Sequence, residues 1–258
     1  MKPTSAQKVW ITGASSGIGL ALATQYAEQG ATLGLVARRG DLLEAFRAKY
    51  PALEIALYTI DVRDHAALAA AAQDFMAHVG CPDIVIANAG ISAGSVTGRG
   101  DLEVFREIMD INYLAMTATF EPFIAPMTAK RHGTLVGVSS VAGVRGLPGA
   151  GAYSASKAAA TRYLESLRVE LRAAGLSVVT IAPGYVRTPM TARNDYPRPF
   201  IMEADVFARK AVRAIARERR HVVIPWQMGI VSSLLHVMPR WLYDWAFERA
   251  PRKKRAAD

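Results

Sequence analysis

The chain has 258 residues, of which 51% are apolar and 21% are charged, a balance that supports a full hydrophobic core and excludes disordered and collagen-like classes. The single cysteine, Cys81, excludes an intrachain disulfide and a CxxC redox or zinc motif, and favours a reducing compartment. The net charge is +9, and residues 205–258 hold 12 Lys and Arg against five Asp and Glu. Because no base-reading or stacking motif accompanies this excess, we expect no nucleic-acid binding.

The N-terminal sequence MKPTSAQKVWITG contains no continuous apolar core of the length that a signal peptide needs. The nearest candidate for a membrane span is WQMGIVSSLLHVM at 226–238, which has 13 residues. A helix needs about 20 residues to cross the hydrocarbon core of a bilayer. We therefore expect an unprocessed cytoplasmic protein without a transmembrane helix.

Strand-like runs rich in Val and Ile alternate along the chain with segments of helical length. The strand-like runs are KVWITG, ATLGLVA, EIALYTIDV, DIVIANAG, GTLVGVSS, SVVTIAP and HVVIPW. The helical segments are 17–30, 64–79, 102–128, 153–174 and 203–219. Apolar strands alternating with helices are typical of a parallel sheet covered on both faces. The pattern predicts a single α/β domain at 1–225, with a doubly wound, seven-stranded parallel sheet, followed by a helical extension at 226–258.

A glycine-rich loop, TGASSGIG at 12–19, follows the first strand and opens the first helix. Gly13, Gly17 and Gly19 permit a tight turn and a close backbone approach, and the free amides of the helix start suit a pyrophosphate. The alternative is a plain strand-to-helix turn. The position of the loop between a strand and a helix favours a dinucleotide site.

The end of the second strand determines which dinucleotide is preferred. A carboxylate there would bind the ribose 2′-hydroxyl of NAD, but the sequence places Arg38 and Arg39 at this position. Two guanidinium groups suit a 2′-phosphate through charge-assisted hydrogen bonds. The alternative is that both arginines are solvated at a helix start. We predict NADP as the cofactor.

The sequence YSASK places Tyr153 and Lys157 four residues apart, and therefore on one helix face. A nearby ammonium favours the phenolate form, so Tyr153 is a candidate for proton exchange with a substrate oxygen. Ser140 lies thirteen residues earlier, at the end of the strand GTLVGVSS, where open α/β sheets bind ligands. Ser139 is a second candidate for this serine role, but the spacing to Tyr153 favours Ser140.

With these elements in order, the chain resembles the short-chain dehydrogenase/reductase family over about residues 8–225. The motifs that carry the resemblance are TGASSGIG, Asp61-Val62, Asn88-Ala89-Gly90, Asn112, Ser140, Tyr153, Lys157, Pro183-Gly184 and Thr188. The resemblance implies a Rossmann-like fold and hydride transfer between a nicotinamide and a carbonyl or secondary alcohol. Two positions depart from the family pattern, since Ala87 and Gly137 stand where asparagine is frequent.

The resemblance also implies the roles of the site residues. Tyr153 would be the acid/base, Ser140 would hydrogen-bond the substrate oxygen, Lys157 would bind the nicotinamide ribose and lower the pKa of the tyrosine, and Asn112 would hold a water for proton relay. Asp61 would contact adenine, Asn88 the adenosine, and Thr188 the carboxamide. The complete predicted cofactor set is Gly13, Ser15, Ser16, Gly17, Ile18, Gly19, Arg38, Arg39, Asp61, Val62, Asn88, Ala89, Gly90, Tyr153, Lys157, Pro183, Gly184, Val186 and Thr188.

The loops after strands four, five and six supply the predicted substrate pocket. Their side chains are Ile91, Ser92, Val144, Leu147, Tyr185, Met190, Tyr196, Phe200 and Ile201. This set favours an apolar or amphipathic, lipid-like carbonyl compound. Packing of a lid is the alternative use of the same residues.

After the last strand, Met238, Trp241, Leu242 and Trp245 repeat at three and four residues, and the basic group at 252–255 follows. An amphipathic helix with tryptophan and basic residues suits peripheral contact with an anionic membrane. The alternatives are a helix that covers the substrate site or a neighbouring subunit, with a disordered tail. The family resemblance further implies a homodimer or homotetramer that pairs through the helices at about 102–128 and 153–174.

Overall fold

A seven-stranded parallel sheet forms the centre of the protein in a computed structural model, which describes residues 6–192, 197–250, 252–253 and 255. The strands are β1 (Lys8–Thr12), β2 (Thr32–Ala37), β3 (Ile55–Thr59), β4 (Ile84–Ala87), β5 (Thr134–Val138), β6 (Ser177–Pro183), β7 (Val186–Arg187), β8 (Met202–Glu203) and β9 (His221–Ile224). The helices are α1 (Gly17–Glu28), α2 (Gly40–Arg47), α3 (His65–His78), α4 (Leu102–Met109), α5 (Ala115–Lys130), α6 (Gly151–Glu170), α7 (Pro189–Ala192), α8 (Ala204–Ala216), α9 (Trp226–Val237) and α10 (Arg240–Phe247). A π-helical segment at Asp110–Leu114 joins α4 to α5, and a 3-10 turn spans Val141–Gly143.

The strand order of the main sheet is β3-β2-β1-β4-β5-β6-β9, and each neighbouring pair is parallel. The chain reverses its direction of winding between β1 and β4, which lie side by side in the centre. In open α/β sheets this switch point opens a crevice outside the carboxyl ends of the strands, where ligands bind. The loops after β1 and β4 therefore mark the expected site, and the predicted doubly wound fold is confirmed.

Two apolar layers cover the two faces of the sheet, which is why every residue of β2, β4 and β5 is buried. One layer packs α1 and α8 onto the sheet through side chains such as Leu22 and Phe207. The other packs α3, α5 and α6 around Trp10, whose ring lies 5.4 Å from those of both Phe75 and Phe123, measured between centroids. Helices on both faces keep the carboxyl edge of the sheet as its open side.

The observed elements differ from the predicted ones in a few places. The sequence pattern missed α2, which is only eight residues long, and it merged α4, the π-helical segment and α5 into one helix. The region after β9 forms two helices, α9 and α10, which contact the domain through Met228 and Tyr243. Within the described residues, no helix is both long and apolar enough to cross a membrane.

Candidate active site

The glycine loop after β1 is shaped by close backbone contacts that exclude larger residues. Gly13 and Gly17 have φ of 70° and 57°, a region that favours glycine. A Cβ atom on Gly19 would lie 2.2 Å from the carbonyl oxygen of Gly13. The first amides of α1 have no acceptor within the helix, and Gly17 and Ile18 line the central cavity. This open set of donors at a helix start fits a pyrophosphate.

Thr12 and Asn88 tie the glycine loop to the end of β4. The hydroxyl of Thr12 accepts hydrogen bonds from the amides of Asn88 and Ala89, both at 3.2 Å. The side-chain amide of Asn88 donates to the carbonyl oxygens of Thr12 at 3.0 Å and Gly13 at 3.3 Å. The structure therefore gives Asn88 a positioning contact beside its predicted contact with adenosine. Thr12, which the prediction did not include, is the first residue of the glycine motif.

Two arginines follow β2 and border the same loop. Arg39 donates hydrogen bonds to the hydroxyls of Ser15 at 3.0 Å and Ser16 at 2.7 Å. Arg38 lies 3.7 Å from a carboxylate oxygen of Asp61 and remains largely exposed. Arg63 binds Asp61 more closely, at 2.7 Å, and is the main cause of the lowered pKa of Asp61. Within the described residues, no carboxylate lies within 4.0 Å of Arg39.

Ser140 and Tyr153 lie beside each other at the end of β5, where the serine side chain acts to lower the pKa of the phenol. Ser140 also accepts a hydrogen bond from the amide of Ala142 at 3.1 Å, which fixes the serine at the start of the 3-10 turn. Ser139 also lines the cavity, but its hydroxyl bonds to α6, through the carbonyl oxygen of Lys157 at 2.9 Å and the hydroxyl of Thr161 at 2.6 Å. Of the two serine candidates, only Ser140 contacts the tyrosine.

The pKa values of Tyr153 and Lys157 are set mainly by desolvation. Desolvation raises the pKa of the tyrosine, and the side chain of Ser140 opposes this shift. Burial lowers the pKa of Lys157 to about 8, and its ammonium donates to the carbonyl oxygen of Val138 at 2.9 Å. The lysine nitrogen lies 6.0 Å from the centre of the tyrosine ring. The lowering of the tyrosine pKa by Lys157 stays a prediction.

Asn112 lies inside the π-helical segment and is fully buried. Its side chain accepts from the amide of Ile91 at 2.8 Å and donates to the carbonyl oxygen of the same residue at 3.0 Å. It also donates to the hydroxyl of Ser156, which in turn donates to the carbonyl oxygen of Tyr153. A Cβ atom on Gly90 would lie 3.1 Å from Oδ1 of Asn112 and 3.5 Å from Nζ of Lys157. A side chain at position 90 would therefore crowd both polar groups.

A cavity of about 520 Å³ connects the glycine loop with the serine and tyrosine. Of the predicted site residues, it is lined by Gly13, Ser15, Ser16, Gly17, Ile18, Arg38, Arg39, Asp61, Val62, Asn88, Ala89, Gly90, Ser140, Tyr153, Lys157, Pro183, Gly184, Val186 and Thr188. Gly19 and Asn112 lie directly behind this lining, against Gly13 and Gly90 respectively. One cavity therefore unites the predicted cofactor and catalytic groups.

The predicted substrate pocket is reproduced only in part. Ile91, Ser92 and Met190 line the cavity, together with residues outside the prediction such as Thr191, whose hydroxyl holds the backbone of Thr188. The predicted residues that do not line it are Val144, Leu147, Tyr185, Phe200 and Ile201. Phe200 is instead 52% exposed. Tyr196, and Lys254 of the basic group, lie outside the described residues.

Comparisons with known proteins agree with this architecture. Residues 7–198 match the family model described as short chain dehydrogenase. A Myxococcus xanthus protein named "Uncharacterized oxidoreductase" is 37% identical over 251 residues, which are 96% of this chain and 99% of that protein. A short-chain dehydrogenase from Sphingobium yanoikuyae in complex with NADPH is 26% identical, with a TM-score of 0.78 and coverage of 91% of this chain and 97% of that one. A short chain dehydrogenase/reductase from Burkholderia phymatum in complex with NAD is 23% identical, with a TM-score of 0.83. The match covers 99% of this chain and 100% of that one.

Proposed function

The chain belongs to the short chain dehydrogenase family and is an oxidoreductase, and from this premise we propose that it reduces carbonyl groups of apolar or amphipathic small molecules with NADPH, or catalyses the reverse reaction. The observation that carries the proposal is the pairing of Ser140 with Tyr153 in the cavity that the glycine loop and Lys157 also line.

The side chains at the end of β5 and on α6 supply proton chemistry. The nicotinamide, when bound, supplies or accepts the hydride. Tyr153, whose pKa is raised by burial, donates its proton to the carbonyl oxygen during reduction. Ser140 donates a hydrogen bond to the same oxygen and stabilises the negative charge that develops there. Lys157 and Asn112 both border Gly90, and in this proposal Asn112 holds a water that relays protons between Lys157 and the solvent.

The cofactor is NADP(H) in this proposal because the end of β2 carries positive charge. Arg38 stands where an acidic residue would bind the ribose 2′-hydroxyl of NAD. Arg39, together with Ser15 and Ser16, forms a cluster of donors beside the glycine loop. A guanidinium group binds a phosphate through two parallel hydrogen bonds, so this cluster suits the 2′-phosphate that distinguishes NADP from NAD.

Binding and turnover measured in the same samples test the proposal. NADPH and NADH are titrated into the purified protein, and the change in nicotinamide fluorescence gives the two dissociation constants. A panel of apolar ketones and aldehydes is then added, and oxidation of the nucleotide is followed. We expect tighter binding of NADPH and its oxidation by at least one panel member. Failure to bind either nucleotide would contradict the proposal. Tight binding without turnover of any carbonyl would favour the alternative, an NADP-binding sensor or scaffold.

A second part of the proposal concerns the exposed apolar face of α9 and α10. Its members are Trp226, Ile230, Leu234, Val237, Trp241 and Trp245, each more than half exposed. A shallow groove of about 630 Å³ runs between this face and β9, away from Tyr153. Arg240, the first residue of α10, and Arg249, two residues beyond its end, are exposed. Tryptophans flanked by arginines suit the interface of an anionic membrane, and we propose that this face binds one peripherally.

Sedimentation with vesicles tests the membrane contact. Trp241→Ser combined with Trp245→Ser should lower the fraction that sediments with vesicles containing phosphatidylserine. Val169→Ser, which removes an equally exposed apolar side chain from α6, is the matched control and should leave sedimentation unchanged. Equal sedimentation of all variants would contradict the proposal. A loss of self-association in the double variant would instead assign the face to an interface between copies.

The family resemblance also supports a homodimer or homotetramer. The long helices α5 and α6 lie beside each other, and small residues of α6, including Ala155 and Ala159, allow close packing of a second copy. Light scattering of the purified protein measures the mass directly. A monomer at micromolar concentration would contradict this part of the proposal.

A further inference from the structure

The C-terminal segment, of which the structure describes Arg252, Lys253 and Arg255, is held against loops of the domain. The guanidinium group of Arg255 donates to both carboxylate oxygens of Asp101, at 2.8 and 3.0 Å, and to the carbonyl oxygen of Arg99 at 2.8 Å. The backbone of Arg255 forms a parallel bridge with that of Gly94. A Cβ atom on Gly149 would lie 3.0 Å from Cβ of Arg252. The segment therefore packs closely against loops that follow β4 and β5.

Lys253, on this segment, lies beside two residues of the catalytic cavity. Its ammonium donates to the hydroxyl of Ser92 at 2.6 Å and lies 6.0 Å from the centre of the Tyr153 ring. Ser92 and Tyr153 both line the cavity. The lysine thus approaches the proton donor of the proposed reaction from the side on which Ser92 lies.

In the part of the chain that the structure describes, the surroundings of Lys253 supply a hydroxyl but no carboxylate. Among the described residues, no carboxylate lies within 4.0 Å of its ammonium, whereas Arg255, two residues away, pairs with Asp101. Burial lowers the pKa of Lys253 to about 8, because nothing close by compensates for its desolvation. A partly buried cation without an anion is costly. A lysine that only fastened the segment would gain more from an acidic partner, so its isolation beside Tyr153 requires another explanation.

We propose that Lys253 is a substrate-binding residue, and that the preferred carbonyl substrate carries an anionic group, a carboxylate or a phosphate, which pairs with its ammonium. The inference rests on the proposed carbonyl reductase function and narrows its substrate class. Ser92 orients the ammonium, and the pair formed by Asp101 and Arg255 keeps the lysine at the cavity. An amphipathic anion would contact both the apolar residues Ile91 and Met190 and the ammonium of Lys253.

The test compares acids with their uncharged esters. Straight-chain keto acids, in which the ketone stands at increasing distance from the carboxylate, are assayed with NADPH beside their methyl esters. Keto phosphates and the corresponding neutral keto alcohols form a second arm that distinguishes the two anions. We expect the unmodified protein to prefer at least one acid over its ester, with the difference mainly in KM.

Lys253→Met removes the charge and keeps an unbranched side chain. We expect it to lower kcat/KM for the preferred acid about tenfold to a hundredfold, as for loss of a charge-assisted hydrogen bond, and to leave the ester rate unchanged. Lys210→Met, on the exposed face of α8, is the matched control and should alter neither rate. The dissociation constant of NADPH should be the same in all three proteins.

Three results would overturn the inference. An equal loss of kcat/KM for acid and ester in Lys253→Met would make Lys253 a structural residue. Weaker NADPH binding in the same variant would make it a cofactor contact. If the unmodified protein preferred no acid over its ester, the substrate would not need an anionic group. If no compound is turned over, the proposed function fails separately. Binding of the same acids, followed by tryptophan fluorescence, then decides the role of Lys253: tenfold weaker binding in Lys253→Met supports it, and equal binding overturns it.

Discussion

Arg255 and Asp101 form a two-point ion pair that joins positions 154 residues apart in the sequence. The carboxylate is almost fully buried, with 4% of its side chain exposed. The guanidinium group lowers the pKa of Asp101 to about 2. A lowered pKa means that this carboxyl group binds a proton less readily in the folded protein than in the unfolded chain. The ion pair therefore stabilises the fold fully above the ordinary carboxyl pKa near 4, and this stabilisation is lost as the pH falls toward 2.

Asp101→Asn should release the segment that carries Lys253. We expect KM for an anionic substrate to rise severalfold, because the lysine is no longer held at the cavity, while kcat and NADPH affinity stay nearly unchanged. Asp205→Asn, which removes the partner of Arg209 on an exposed helix face, should have no effect. In a Lys253→Met background, Asp101→Asn should raise KM no further, since the two residues act as a unit. Additive effects in the double variant would refute the link.

Tyr153→Phe should abolish turnover and spare the binding of NADPH. The substitution removes only the hydroxyl that lies beside Ser140, and loss of a general acid costs at least about a hundredfold in rate. Single-turnover kinetics together with a fluorescence titration of NADPH measure the two effects separately. Retained turnover would mean that another group donates the proton.

Ser140→Ala and Ser139→Ala should separate chemistry from stability. Loss of a hydrogen-bond donor at the substrate oxygen lowers kcat by about a hundredfold to a thousandfold, so we expect this of Ser140→Ala. Ser139 bonds to the backbone of α6 instead, and its removal should lower the free energy of unfolding by about 1 kcal/mol with little change in kcat. Urea unfolding and steady-state kinetics on both variants check this, and a reversed pattern would assign the role to Ser139.

Arg38→Asp should erode the preference for NADPH over NADH. The new carboxylate would repel the 2′-phosphate and bind the free 2′-hydroxyl, so we expect the ratio of kcat/KM values to fall by about tenfold to a hundredfold. Arg172→Asp carries the same charge change in the turn after α6, outside the cavity lining, and should leave the ratio unaltered. An unchanged ratio in Arg38→Asp would remove this residue from cofactor selection.

NADPH binding should weaken as the pH rises through about 8. Burial lowers the pKa of Lys157 to about 8, from an ordinary value near 10.4, so the ammonium that would contact the nicotinamide ribose is charged below this pH and neutral above it. Fluorescence titrations across neutral and alkaline pH give the profile of the dissociation constant. Lys157→Met, which has no charge to lose, should bind weakly and lack this transition. Identical profiles for the two proteins would contradict the assignment.

The sheet and the cofactor side of the site could be predicted because local patterns determine them. The apolar runs at 31–37 and 133–138 can be buried only as strands covered on both faces, and each is followed by a loop at the carboxyl edge. Gly13 and Gly19 revealed the phosphate loop because the close contacts of that loop exclude a side chain. In both cases the residue type reflects a constraint within its own stretch of the chain.

The approach of Lys253 to Ser92 could not be predicted in this way. The two residues are 161 positions apart, and the sequence near Lys253 shows only a basic cluster, which is compatible with a solvated tail or a membrane contact. Their pairing depends on where the turn after α10 places the chain. The bond between Asn112 and Ile91 is a further case, since the extra width of a π-helical turn leaves no periodic signal in five residues.

The π-helical segment makes the continuous helix formed by α4, this segment and α5 sensitive to insertions and deletions. A π turn accommodates an additional residue relative to an α turn, and each residue of an α-helix rotates the following ones by about 100°. Deleting Asp110 alone would allow this continuous helix to become α-helical throughout, but either α4 or α5 would then have to rotate away from its present packing. The position of Asn112 in the active site therefore depends on the length of this segment as well as on the identity of the residue.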